Sequence, residues 1–179
     1  LSGYQRGFSL IELMLMLILM ATLWVAASHY QMQSRQVIQA RQWAQAAVVS
    51  LQTVRQRAQT EQRVWQVCGS ELAEDCAGVW SKQWWAQAEM DESAPVMLQP
   101  DIPAGWHVYW RGFRQRPFIE WTATGDAADS NGTLTLCAPI AQDAALRQIV
   151  ISRSGRLRIQ APKAQGASVL ASARAICGW

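Results

Sequence analysis

One carboxylate, Glu12, interrupts an otherwise apolar run, "LIELMLMLILMATLWVAA" at residues 10–27. An ionised side chain near the edge of a hydrocarbon core is costly, so Glu12 points to a partner or a task rather than to packing. Four cysteines form a second group. Cys68 and Cys76 bound a short acidic loop, "CGSELAEDC", Cys137 closes a strand-like run, and Cys177 lies two residues from the C-terminus. Four cysteines allow three pairings. Cys68–Cys76 with Cys137–Cys177 is favoured, the second bond holding a tail that would otherwise fray. Zinc is the rival use, but no pair has the two-to-four-residue spacing of structural zinc ligands.

The third group is basic. Arg147, Arg153, Arg156, Arg158, Lys163 and Arg174 follow Asp143 with no further acid, whereas Leu13 to Thr60 holds no acid at all and Glu61 to Asp143 holds twelve acids against five bases. The net charge of +3 conceals this asymmetry, which bears on partners more than the total does. In a strand, Leu157 and Ile159 would point inward while Arg156 and Arg158 share the outer face roughly 7 Å apart. Arg153, across a turn, and Lys163 would lengthen that stripe. Acid-free basic patches attract polyanions without reading sequence, so DNA is one candidate partner; a solvated or subunit-contacting face is the other. Five of the ten tryptophans, Trp80, Trp84, Trp85, Trp106 and Trp110, could stack bases, but core and subunit contacts are the commoner use. With His29 and His107 as the only histidines, no nucleophile–base–acid spacing and no glycine-rich phosphate loop stand out, so catalysis, metal and cofactor are not expected.

The elements that must position these groups divide the chain in two. Phe8 to Ala27 is 20 residues, about 30 Å as a helix and the thickness of a bilayer core. A secretory signal cleaved at "VAA" (25–27) is the alternative, disfavoured by Glu12 and by the continuing helical pattern. No proline precedes Pro95, and no glycine lies between Gly7 and Gly69. Val37, Ala40, Ala44, Ala47, Leu51, Val54 and Ala58 recur at steps of three and four, a narrow apolar stripe for a coiled-coil seam or for packing on a sheet. One helix from about Phe8 to Gln62 is therefore predicted. Strand-like runs follow at 63–68, 105–110, 117–122, 132–137, 147–152 and 156–160, and "RSG" (153–155) joins the last two into a hairpin. A long helix laid on one antiparallel sheet is the economical arrangement. The sequence opens on leucine, so a non-standard start codon or missing first residues are expected. Half of the 179 residues are apolar and 16% charged, which excludes a disordered chain.

"GFSLIE" (7–12) resembles the class III signal of type IV prepilins. "SLQTVRQRAQTEQRVWQVC", "CGSELAEDCAGVWSKQWW", "NGTLTLC" and "RQIVISRSGRLRI" are similar to the helix end, cysteine loop and closing strands of the GspH/FimT family of minor pilins and pseudopilins. Where many pilins carry a helix-kinking proline this chain has His29, and the segment from Gln83 to Asp101 is longer and more polar than the usual strand. The resemblance implies an α+β, type IV pilin-like fold. It divides the chain into a leader (1–7), a transmembrane helix half (8–27), an amphipathic periplasmic half (28–62) and a β-rich domain (63–179). It also implies prepilin peptidase cleavage after Gly7, N-methylation of Phe8, and an ion pair between Glu12 and a neighbouring subunit's terminal amine. The expected partners are other pilins or pseudopilins, the peptidase and the inner membrane. The expected role is structural, in the tip or initiation complex of a type IV pilus, with a type II secretion pseudopilin H as the alternative. "GRLRI" further resembles the Gly-Arg-x-Arg motif of the branch for which DNA uptake has been proposed, giving Arg153, Arg156, Arg158 and Lys163 as candidate DNA contacts.

Overall fold

The computed structural model describes residues 9–71, 76–89, 95–98, 102–127 and 129–179. Gly7, Phe8 and the leader lie outside them. Leu, Met, Ala and Gln, uninterrupted by glycine or proline, form one helix, α1 (Leu10–Glu61), of 52 residues. The described residues up to Arg35 form one unit and Gln36–Trp179 a second. In the first unit the large apolar side chains from Leu10 to Val25 are all more than half exposed. Thr22 and Ser28 donate their hydroxyls to the carbonyls of Leu19 and Val25, so these two hydroxyls need no water.

In the second unit, Ala40, Trp43, Ala44, Ala47, Leu51, Val54 and Ala58 of α1 are 0–3% exposed and line the core. The stripe marks the packed face, with Trp43 added to it. The helix stops where Gln62 takes a left-handed conformation (φ 52°) and the Arg63 N–H reaches back to the Ala58 carbonyl, a Schellman-type end made without glycine.

Eight strands follow: β1 (Trp65–Ser70), β2 (Gln83–Ala88), β3 (Val96–Leu98), β4 (His107–Gly112), β5 (Phe118–Trp121), β6 (Gly132–Cys137), β7 (Arg147–Ile151) and β8 (Leu157–Gln160). They make two four-stranded antiparallel sheets, ordered β3-β2-β1-β5 and β4-β6-β7-β8, where the sequence pattern led us to expect one. The extra pair is β2–β3, within the segment that reads as long and polar. There Trp84, Ala86 and Ala88 turn inward while Gln83 and Gln87 face out. Tryptophans join the layers: Trp43 of α1 meets Trp84 edge-on at 5.8 Å, Trp84 meets Trp80 at 5.2 Å, and Trp80 meets Trp110 of β4 at 5.8 Å.

Two serines close sheet edges. The Ser130 hydroxyl accepts from the Glu120 N–H and donates to the Glu120 carbonyl on β5. Ser81 does the same for Val108 on β4. Each plug withholds one edge residue from a foreign strand.

After β8 the chain forms α2 (Pro162–Gln165) and α3 (Ala167–Cys177) rather than a strand or loose tail. Gly178 (φ 73°) caps α3, with the Trp179 N–H returning to the Arg174 carbonyl.

Candidate functional site

Glu12 lies in the first turn of α1, exposed within the apolar stretch, its N–H donated to the Ser9 carbonyl at 3.0 Å. No cation among the described residues faces it. The two residues meant to receive cleavage and methylation, Gly7 and Phe8, fall outside the described residues.

The structure joins Cys68 to Cys76 and Cys137 to Cys177, with Cα separations of 5.1 and 5.6 Å. The first bond ties Cys76 to β1, which carries Cys68. The second ties the end of α3 to the end of β6. An ionic tie assists it, since Arg174 donates through Nε at 2.7 Å and through Nη2 to the two carboxylate oxygens of Asp143. These hydrogen bonds hold the Asp143 carboxyl below its usual range, and the charges of Arg174 and Lys163 act in the same direction.

The basic hairpin is built from α1 outwards. Arg55 Nε donates to the Gly125 carbonyl at 2.7 Å, and Gln59 Nε2 donates to the Thr124 carbonyl at 2.9 Å, so the helix grips the turn after β5. The β7–β8 turn rests on that turn. A Cβ on Gly155 (φ 74°) would lie 2.0 Å from the Gly125 carbonyl oxygen, so only glycine fits there. This clamp presents Arg153, Arg156 and Arg158 to solvent. Leu157 is half-buried against the core, but Ile159, expected inside, is 39% exposed, because β8 is the outer strand. Lys163 is exposed on α2, where Pro162 has closed the strand, and its charge acts on Asp143.

Sheet register adds an arginine that motif reading missed. Arg111 pairs with Thr133, Thr133 with Val150, and Val150 with Arg158. Arg111 and Arg158 thus end one cross-strand row, three strand spacings or about 14 Å apart. Arg147 leaves the surface set. It is 5% exposed, donating Nη1 to the carbonyls of Ala144 and Leu146, and burial followed by the nearby charge of Arg41 lowers its pKa. Trp80, Trp84 and Trp106 are 2%, 1% and 5% exposed, which removes them as base-stacking platforms. His107 is exposed at the start of β4 beside Tyr109.

The described residues thus combine an exposed apolar helix front with a packed helix–sheet unit that carries two cystine ties. Residues 44–155 match the family model described as Type II transport protein GspH, and the chain belongs to that family. Its fold is that of the type IV pilins. A crystal structure of the Pseudomonas aeruginosa (strain PAO1) type IV minor pilin FimU, in space group P21, superposes with a TM-score of 0.53 at 16% identity, covering 73% of this chain and 92% of that one. A second FimU crystal form, P65, gives a TM-score of 0.49 at 16% identity over 68% and 90%. No curated protein matches the chain. Fold and family define a structural subunit of the minor pilin and pseudopilin kind.

Proposed function

We propose that this chain is a minor pilin anchored once in the inner membrane, with its globular domain in the periplasm, serving in the tip or initiation complex of a type IV pilus. One observation carries the reading. The front of α1 exposes an apolar surface long enough to cross a bilayer, with Glu12 as the charged side chain in it. In a lipid or filament core that carboxylate needs a counter-charge, and the terminal amine of a neighbouring subunit, freed by cleavage after Gly7 and methylated on Phe8, supplies one. Prepilin peptidase would act on the cytoplasmic side, where the bare Gly7 lets a protease approach the backbone.

Two further readings share this architecture. The family's name favours a type II secretion pseudopilin. The solvent-facing Arg153, Arg156 and Arg158, the last in one cross-strand row with Arg111, favour a DNA-binding subunit for uptake. Deletion followed by separate assays of twitching, protein secretion and DNA uptake divides the three. Loss of twitching alone supports the pilus role, and normal twitching with loss of either other activity contradicts it.

A further inference from the structure

The sheet β4-β6-β7-β8 has a polar outer face. Its register sets Arg111, Thr133, Val150 and Arg158 in one cross-strand row and Tyr109, Thr135, Gln148 and Gln160 in the next. Cys137 shares its parity on β6 with Thr133 and Thr135, so its bond to Cys177 places α3 on this face. The helix does not seal it. A cleft of about 290 Å³ remains between them, lined by Arg111, Thr133 and Gln148 from the sheet and by Ser168, Val169 and Ser172 from α3.

The lining holds a cation, three hydroxyls and an amide, and no carboxylate. Arg111, Thr133, Ser168 and Ser172 make no side-chain hydrogen bond or ion pair among the described residues. Asp143, the acid that α3 does meet, is committed to Arg174. Gln148 is 5% exposed and fixed in place: Gln160 Nε2 donates to its Oε1 at 3.0 Å, and its own Nε2 donates to Thr135 Oγ1 at 3.2 Å. One hydrogen on that Nε2 is left without a partner, which is uncommon for a buried amide. Packing alone does not explain a helix laid over so many unpaired donors.

The donors call for an anion, and their placement favours one shape. A carboxylate has two oxygens in one plane, with about four lone-pair positions. A phosphate group turns at least three acceptor oxygens in different directions and carries up to about two charges. Donors on two facing walls, sheet and helix, suit the second shape. The volume falls at the lower end of small-molecule pockets, roughly 300–1,000 Å³, and so suits a small ligand.

We propose that this cleft binds the phosphate group of a small molecule, either free phosphate or a phosphomonoester. Arg111 supplies the counter-charge, Thr133, Ser168 and Ser172 donate their hydroxyls, and Gln148 donates its remaining amide hydrogen. Val169 offers an apolar wall to the carbon end of an ester. The site goes beyond the subunit reading above and does not depend on it.

The test uses the full chain in dodecyl maltoside micelles and isothermal titration calorimetry with inorganic phosphate, glycerol 3-phosphate and acetate. At least one of the two phosphates should bind about tenfold more tightly than acetate, and the tighter one names the source. Arg111→Gln should weaken that binding about tenfold, as should changing Ser168 and Ser172 together to Ala, a residue that suits the helix. Arg158→Gln, on the same row three strand spacings away, should leave it unchanged. The bound phosphate should also slow amide exchange at the start of α3, because it bridges helix and sheet. Acetate binding as tightly as phosphate overturns the proposal, as does equal loss in the Arg111 and Arg158 variants. Failure of both phosphates, including the case where an oligothymidylate binds instead, also overturns it. Filament assembly plays no part in this assay, so a negative result leaves the subunit reading standing.

Discussion

Glu12 concentrates the assembly problem in one side chain. Its neighbours on α1 are exposed Leu, Ile and Met, so any assembly that covers them covers the carboxylate too. Glu12→Val should leave the protein inserted and cleavable but poorly incorporated into filaments, as read by immunoblot of sheared pili; normal incorporation would remove the ion-pair role. The arginines divide differently. Changing Arg156 and Arg158 together to Gln should preserve thermal stability. If the DNA reading holds, it should also lower affinity and flatten the dependence on salt, because fewer counterions are released. Equal affinity for double mutant and parent would make them ordinary surface charges. The "RSGRLR" motif located this hairpin, but two arginines required the sheet. Arg147 shares its strand parity with Ile149 and Ile151 and so is buried, while Arg111 joins the row only through pairings with distant strands.

At the scale of elements, the legible parts were those with strong periodicity. The stripe from Ala40 to Ala58 marks the buried face of α1 because each position packs against the core. β2 was harder to read, since its adjacent tryptophans and glutamines blur an alternation that burial makes plain. α3 was harder still. Val169, Leu170, Ala173, Ile176 and Cys177 recur at helical spacing, but only Ala173 is fully buried, so the helix depends on its ties as well as on its packing. Those ties are testable. Replacing Cys137 and Cys177 with Ser should cost about 2–4 kcal/mol in denaturant unfolding, given their separation of 40 residues. The Asp143–Arg174 pair should make α3 acid-sensitive. A carboxyl whose pKa is lowered on folding stabilises above its unfolded value, near 4, and loses that contribution as pH falls through its folded value. Amide exchange in α3 should therefore differ between the parent and Asp143→Asn at pH 7, and the difference should shrink progressively as pH falls below about 4. A difference that does not change with pH in the acid range would assign the effect to something other than the ion pair.

The whole molecule joins a helix that needs an apolar partner to a unit that is already packed. The second unit has its own core, two sheets and two cystines, and in both composition and fold it is a finished domain. The front of α1 is not finished in this sense, for its apolar surface is bare. A subunit that inserts first in a membrane and later in a filament requires that combination. The same feature separates the pilin account from a secreted protein whose front helix is a discarded signal. N-terminal mass spectrometry of the membrane-extracted protein decides between them most directly. The account predicts a mature chain that begins with methylated Phe8 and retains all of α1; a mature chain beginning at Ser28 would contradict it.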